Sequence, residues 1–139
     1  LEFHGTYEQY RDDKANLFKK LNCFGVVNGD DKAASLFASK TEKPVYSFIK
    51  DKTSSKDIFA ENYLMTDIKS DAKGEDFALE VINQKDIKKL EDFRIDLPGT
   101  FNVYNSTAAA IVVSKLLNIT LEDLKPARTL DVTDDEKDI

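Results

Sequence analysis

The apolar positions change their spacing along the chain, and each change predicts a different kind of element. In YEQYRDDKANLFKKL, residues 7 to 21, a helical period puts Tyr7, Tyr10, Leu17, Phe18 and Leu21 on one stripe. Thr6 and Gln9 fit a capping box at its start, so a helix is expected from Tyr7 to Leu21. Lys14 stands where the middle of the stripe belongs, which places a cation on the face predicted to be buried. CFGVVN reads as a short strand, GDD as a turn, and KAASLFASK as an alanine-rich helix that Asp30 or Asp31 can cap. PVYSFI, from Pro44 to Ile49, reads as a second short buried strand. Helix, strand, helix and strand in this order predict parallel strands covered by helices, because parallel neighbours need a crossover.

From Ile58 to Leu97 the period shortens to two. NYLMTDI leads into a turn near Lys73 and Gly74, Phe77, Leu79 and Val81 alternate in FALEVI, and Phe93, Ile95 and Leu97 alternate in FRIDL. An antiparallel meander with one wet face is expected. LPGT ends it, and FNVYNSTAAAIVVSKLLN predicts a helix whose AAAIVV centre is apolar nearly all round and so should be buried. Thr120 restarts a short helix in TLEDLK, with Glu122 and Asp123 placed to suit its dipole. The acidic tail TDDEKDI is expected to fray. The fold class is therefore α/β, with parallel strands and helices joined to an antiparallel β meander.

Composition narrows this further. A chain of 139 residues with 41% hydrophobic content suits one domain with a real core. No apolar run approaches the roughly 20 residues that span a bilayer, and LEFHGTYEQY lacks the order of a signal peptide, so a cytoplasmic protein is expected. The single cysteine, Cys23, edges an apolar run and is expected to be a buried thiol. A net charge of -6, with lysines interspersed among acids, argues against general affinity for nucleic acid or anionic membrane. It leaves room for an anionic small molecule at a local site.

The glycines fall into neither GxxxxGK[ST] nor GxGxxG, so no phosphate-cradling loop is read in this chain. One histidine, His4, without a GxSxG elbow sets nucleophilic hydrolysis aside, and neither CxxC nor HExxH spacing occurs. Three features carry alternatives. Lys14 either snorkels past the edge of its stripe or serves a site. Asn28 to Asp31, NGDD, follows a strand, where ligands gather in parallel sheets, yet a turn with a helix cap explains it equally well. Asn102 and Asn105 share one face of a helix start and either offer amides to a planar base or are simply solvated.

FHGTYEQYRDDKANLF, VVNGDD and LPGTFNVYNSTAAA together resemble the central domain of the Mur ligases, ATP-dependent enzymes that add amino acids to the peptidoglycan precursor. The resemblance covers most of residues 1 to 125 and is nearest to the UDP-N-acetylmuramoyl-tripeptide synthetase branch. It implies a partial P-loop NTPase-like domain over 1–125, with 126–139 leading toward a C-terminal domain. It also implies that Lys14 matches a lysine that is carbamylated and helps hold Mg2+. That chemistry is coherent, because carbon dioxide adds only to a neutral amine and the carbamate is a hard oxygen ligand. Asn102 and Asn105 match paired asparagines facing the adenine side of ATP, and Phe101 matches the adjoining aromatic position. His4 matches the histidine of an xHG segment, which is not the metal-serving one.

The departures bear on function. The GTxGKT loop and its neighbouring acidic metal ligand are not in the chain, Glu2 replaces the usual aspartate, and PARTLDV with Arg128 is at best a shortened PGRMEV, so Arg128 receives no catalytic role. The chain reads as an internal piece that is expected to be inactive alone. The implied parent joins a diamino acid, L-lysine or meso-diaminopimelate, to UDP-MurNAc-L-Ala-D-Glu. Another Mur ligase branch, a folylpolyglutamate synthetase, or a non-catalytic nucleotide-binding or interaction domain are the competing readings.

Overall fold

The computed structural model describes residues 7–19 and 22–125. His4, Thr6, Leu21, Arg128 and the acidic tail, with the expectations attached to them, lie outside the described residues.

Five strands form one sheet in chain order: β1 (Gly25–Asn28), β2 (Val45–Ile49), β3 (Glu61–Ser70), β4 (Glu75–Ile82) and β5 (Ile87–Ile95). The β1–β2 and β2–β3 pairs are parallel, and β3–β4 and β4–β5 are antiparallel. The predicted α/β class and both kinds of strand are present, but the meander is no separate layer. β3 belongs to both halves, so helices or loops cover both of its faces where it pairs β2. Asn62, Tyr63, Leu64 and Met65 are consecutively buried there, and the wet face expected of the meander holds only farther out, along β5. Leu97 falls beyond β5 and is exposed.

Register fixes the two cores. Val27 pairs Ser47, which pairs Asn62, while Asn28 pairs Phe48, which pairs Tyr63, so neighbouring residues point to opposite faces. On one face Val27 and Val45 meet α1 (Tyr7–Phe18) and α2 (Ala34–Ser39) through Ala15, Ala33, Ala34, Phe37 and Ala38. On the other, Tyr63, Met65, Phe77, Leu79 and Leu90 pack beneath α3 (Thr100–Leu117) through Val103 and Ile111. Each such large side chain, fully buried, contributes roughly 1.5–3 kcal/mol of transfer free energy.

Four local expectations are corrected. Among the described side chains of α1, Ala15 is buried at 5% exposure, whereas Leu17 is 66% exposed. α1 packs against alanine-lined α2, and a small residue lets the two backbones approach. Cys23 is exposed, because the chain enters the sheet only at Gly25. The AAAIVV centre of α3 is not buried all round: Val103, Thr107, Ile111 and Ser114 face the sheet, while Ala109 and Val113 within the centre are exposed. A helix lying on one sheet buries one stripe whatever its opposite face is made of. The segment after Thr120 is a single 3-10 turn, Glu122–Leu124, in which the Thr120 and Asp123 side chains each accept from the other's backbone N–H at 3.2 Å.

Ser47 and Asn62 form a paired polar contact inside the parallel half. Ser47 Oγ donates to Asn62 Oδ1 at 2.7 Å, and Asn62 also binds both backbone groups of Lys56, which pins the loop beneath β2 and β3. Gly29 is required by space, since a Cβ there would lie 2.5 Å from Ile49 Cγ2 and 2.9 Å from Ser47 Cβ.

Candidate functional site

In open α/β sheets ligands bind outside the carboxyl ends of the parallel strands. Here NGDD leaves the carboxyl end of β1. Asn28 Oδ1 accepts from Asp30 N at 2.9 Å, closing the turn, and Asp30 Oδ2 accepts from Lys50 N at 2.7 Å, which ties the ends of β1 and β2 together. Asp31 Oδ1 accepts from Ala33 N at 2.8 Å and from the Tyr7 hydroxyl at 3.1 Å. Neither aspartate is the N-cap of α2, which is Ala33. Asp31 instead orders the turn before that helix and draws the start of α1 to the same edge. Desolvation, then the Asp31 carboxylate, raises the Tyr7 pKa above its ordinary value.

The first turns of α3 reach this edge from the other face. Tyr104 packs against Phe48 with ring centroids 6.4 Å apart, and its pKa is raised by desolvation and then by the charge of Asp30. Phe101 is 63% exposed, Asn105 is exposed, and Asn102 donates from Nδ2 to the Pro98 carbonyl at 2.9 Å. An outward aromatic ring beside amides is a surface on which a planar base can stack and be hydrogen-bonded. The two asparagines thus sit on the helix start as expected, with Asn102 also serving as a local cap.

Lys14 lies on the opposite side of the sheet, in the α1–α2 layer. It is half-buried, and its Nζ donates to the Tyr10 hydroxyl at 3.4 Å and stands 5.1 Å from the ring centroid of Phe37 and 5.7 Å from that of Tyr10. Phe37 is fully buried, so one face of the ammonium is desolvated against aromatic faces that favour a cation. This answers how a lysine occupies the stripe: its charge rests on rings at the edge of the core. Among the described residues no group of three or more histidine, cysteine or carboxylate side chains could hold a metal ion. These residues do not fit a magnesium site by themselves.

Sequence reasoning missed two further polar clusters. Glu75, at the start of β4, is 1% exposed and accepts from Ser70 Oγ at 2.6 Å and from Gly99 N at 3.0 Å. At the other end of α3, Lys115 bonds Glu61 at 2.9 Å and covers the Tyr46 ring, and Glu61 accepts from the Tyr63 hydroxyl at 2.6 Å. Burial, then Glu61, raises the Tyr63 pKa strongly. A cleft of about 370 Å³ opens beside this cluster, away from the carboxyl edge. Neither cluster is legible locally, because each is completed by a distant residue: Gly99, 24 residues from Glu75, and Lys115, 54 residues from Glu61. Among the described residues no helix is long and apolar enough to cross a membrane.

The model of the Mur ligase middle domain matches residues 1–113. UDP-N-acetylmuramyl-tripeptide synthetase of Treponema denticola is 36% identical over 128 residues, covering 86% of this chain and 24% of that protein. The enzyme of the same name from Borreliella burgdorferi is 37% identical over 127 residues, 89% of this chain and 23% of that protein. UDP-N-acetylmuramoyl-L-alanyl-D-glutamate--2,6-diaminopimelate ligase of Caldanaerobacter subterraneus is 33% identical over 129 residues, 91% of this chain and 24% of that protein. The chain thus spans about a quarter of the length of these relatives. No solved structure matches it. With the family model covering most of its length and the α/β sheet ordered as described, the chain belongs to the Mur ligase middle-domain family.

Proposed function

We propose that this chain is part of the ATP-binding middle domain of a cytoplasmic peptidoglycan ligase that extends UDP-MurNAc-L-Ala-D-Glu with a diamino acid. The observation that carries the reading is the meeting of NGDD, the start of α1 and the first turns of α3 at the carboxyl ends of β1 and β2. The names of the relatives supply the substrate class. In this reading ATP gives its γ-phosphoryl group to the substrate carboxylate, leaving ADP. The neutral amine of the diamino acid attacks the acyl phosphate carbon, phosphate departs, and the amine proton is lost as the amide forms. Phe101 and the Asn102–Asn105 pair provide the stacking and amide surface for adenine. Residues 126–139 lead toward the domain that receives the amino acid.

Lys14 enters as the residue whose chemical state is to be read. A carbamate there requires metal and carboxylate partners that the described residues do not supply, so the parent ligase is the object to test. ATP hydrolysis dependent on the UDP-sugar dipeptide and a diamino acid is the expected activity, and its absence with every diamino acid would refute the assignment. Lys14→Ala is expected to abolish ligation, with partial recovery on adding short carboxylic acids. Unchanged ligation would leave Lys14 as a cation resting on Tyr10 and Phe37.

A further inference from the structure

The least expected residue of the fold is Glu75. A carboxylate that is 1% exposed is rarely retained without partners, and both of its oxygens are engaged. Oε1 takes the Ser70 hydroxyl across the tip of the β3–β4 hairpin. Oε2 takes the backbone N–H of Gly99, which is the N-cap residue of α3 and has no side chain of its own to cap with. In the usual capping box a glutamate at the third helical position reaches back to that same N–H. Here the third position is Asn102, and its amide turns instead to the Pro98 carbonyl. The capping glutamate comes from the hairpin, and the helix position it would otherwise occupy is free for an asparagine.

The surroundings hold this clamp in one place. Gly74 is buried, and a side chain there would run into the Ile95 carbonyl, so the start of β4 lies directly against the end of β5. Gly99 has φ +117°, a conformation open to glycine, which turns the chain from LPGT into the helix. Asn102 N bonds the Gly99 carbonyl at 3.0 Å, so the N-cap held by Glu75 is also the first anchor of the turn carrying Phe101, Asn102 and Asn105.

We propose that Glu75 is a positioning residue for nucleotide binding: its buried carboxylate fixes the N-cap of α3 and through it the aromatic and amide surface that meets the base. This rests on the reading of that surface as the adenine side of an ATP site. Glu75 touches no nucleotide; its effect passes through Gly99.

The test uses the full-length ligase, with steady-state KM for ATP and for the UDP-sugar dipeptide measured separately. Glu75→Ala leaves the half-buried Gly99 N–H without its acceptor and is expected to raise KM for ATP roughly tenfold, with kcat at saturating ATP and KM for the dipeptide within about twofold of wild type. Glu75→Gln keeps an acceptor for Gly99 and an amide donor for Ser70, and is expected to restore KM for ATP to within about twofold. If the alanine variant does not fold, Ser70→Ala, which removes only one of the two bonds, decides: a rise in KM for ATP of roughly threefold alone is expected. Amide exchange in this chain gives a second readout, with Gly99 protected in wild type and Glu75→Gln and exposed to exchange in Glu75→Ala. Equal changes in kcat and both KM values, or a glutamine variant as impaired as alanine, would mean a merely structural role and overturn the proposal. Asn105→Ala separates the two levels. If it raises KM for ATP while the Glu75 and Ser70 variants do not, only the positioning role falls; if it too leaves KM unchanged, the nucleotide reading falls with it.

Discussion

In the parallel half of the sheet, Val27 and Val45 are packed against a pair of helices lined by Ala15, Ala33, Ala34 and Ala38 around Phe37. At the tip of the antiparallel half, Arg94 instead gathers Asp71, Asp76 and Asp96 at 3.0–3.2 Å, and Glu75 joins Ser70 to Gly99. Both halves deliver a segment to the same carboxyl edge: NGDD from one, the start of α3 from the other. The first is located by volume, since shape-matched alanines and one phenylalanine leave a single way to stack. The second is located by direction, because hydrogen bonds to charged groups fix angles as well as distances. Damage to the first should therefore appear chiefly as lost stability, and damage to the second chiefly as misplacement.

The largest expected effect follows from emptying the parallel half. Phe37 is fully buried, so Phe37→Ala is expected to lower stability by about 3–5 kcal/mol, read as a lower urea midpoint at unchanged m value. A smaller loss, about 2–3 kcal/mol, is expected for Asn62→Ala at the seam of the two halves. It would strip the Ser47 hydroxyl and both Lys56 backbone groups of their partner at once. If Asn62→Ala cost as much as Phe37→Ala, the seam rather than the apolar stack would be the main support of the parallel half.

These two halves differed in how far they could be read from sequence. Both kinds of strand and α3 were legible because their periods are local: Phe77, Leu79 and Val81 alternate in the chain just as they do on the sheet face. The joining of β3 to β2 was not, since Ile49 and Leu64 become register partners only when the whole sheet forms. Lys14 is legible as an anomaly, but its neighbour Ala15 is not, because a small residue carries little hydrophobic signal even when it is buried at a helix contact. Phe101, Asn102 and Asn105 were legible as a cluster because they lie within two turns of one helix. Glu75 was not, because its burial and its bond to Gly99, 24 residues away, arise only when the sheet and α3 come together. Apolar burial is written in spacing; directional polar contacts between distant segments leave no such trace.

On the face between the halves, Thr107 refines the contrast. On the sheet-facing side of α3 it is 2% exposed, and its Oγ1 has no hydrogen-bond partner. Packing rather than polarity governs this face, so Thr107→Val, nearly equal in shape, is expected to stabilise the chain by about 1 kcal/mol. A loss of stability in thermal or urea unfolding would show that the hydroxyl is satisfied and that polar anchoring extends along the helix.

The smallest effect concerns the charged tip and is visible only against pH. The Arg94 guanidinium, then the backbone amides of Lys73 and Gly74, lower the Asp71 pKa from 3.8 to about 2. Its folded-state pKa lies below the unfolded one, so the unfolded chain binds the proton more readily. Asp71 therefore contributes stability above about pH 4, and this contribution is lost as pH falls toward 2. Asp51 and Asp67 are shifted in the same direction, by the Thr53 side chain and by Lys89 respectively, so Asp71→Asn is expected to flatten the acid limb of the stability profile without abolishing it. The variant should be slightly less stable than wild type at pH 7 and converge with it only below about pH 2, once the folded Asp71 carboxyl is itself protonated. An unchanged acid limb would mean that Arg94 is held adequately by Asp76 and Asp96 alone, and that the directional anchoring of the hairpin tip begins at Glu75 rather than at the turn.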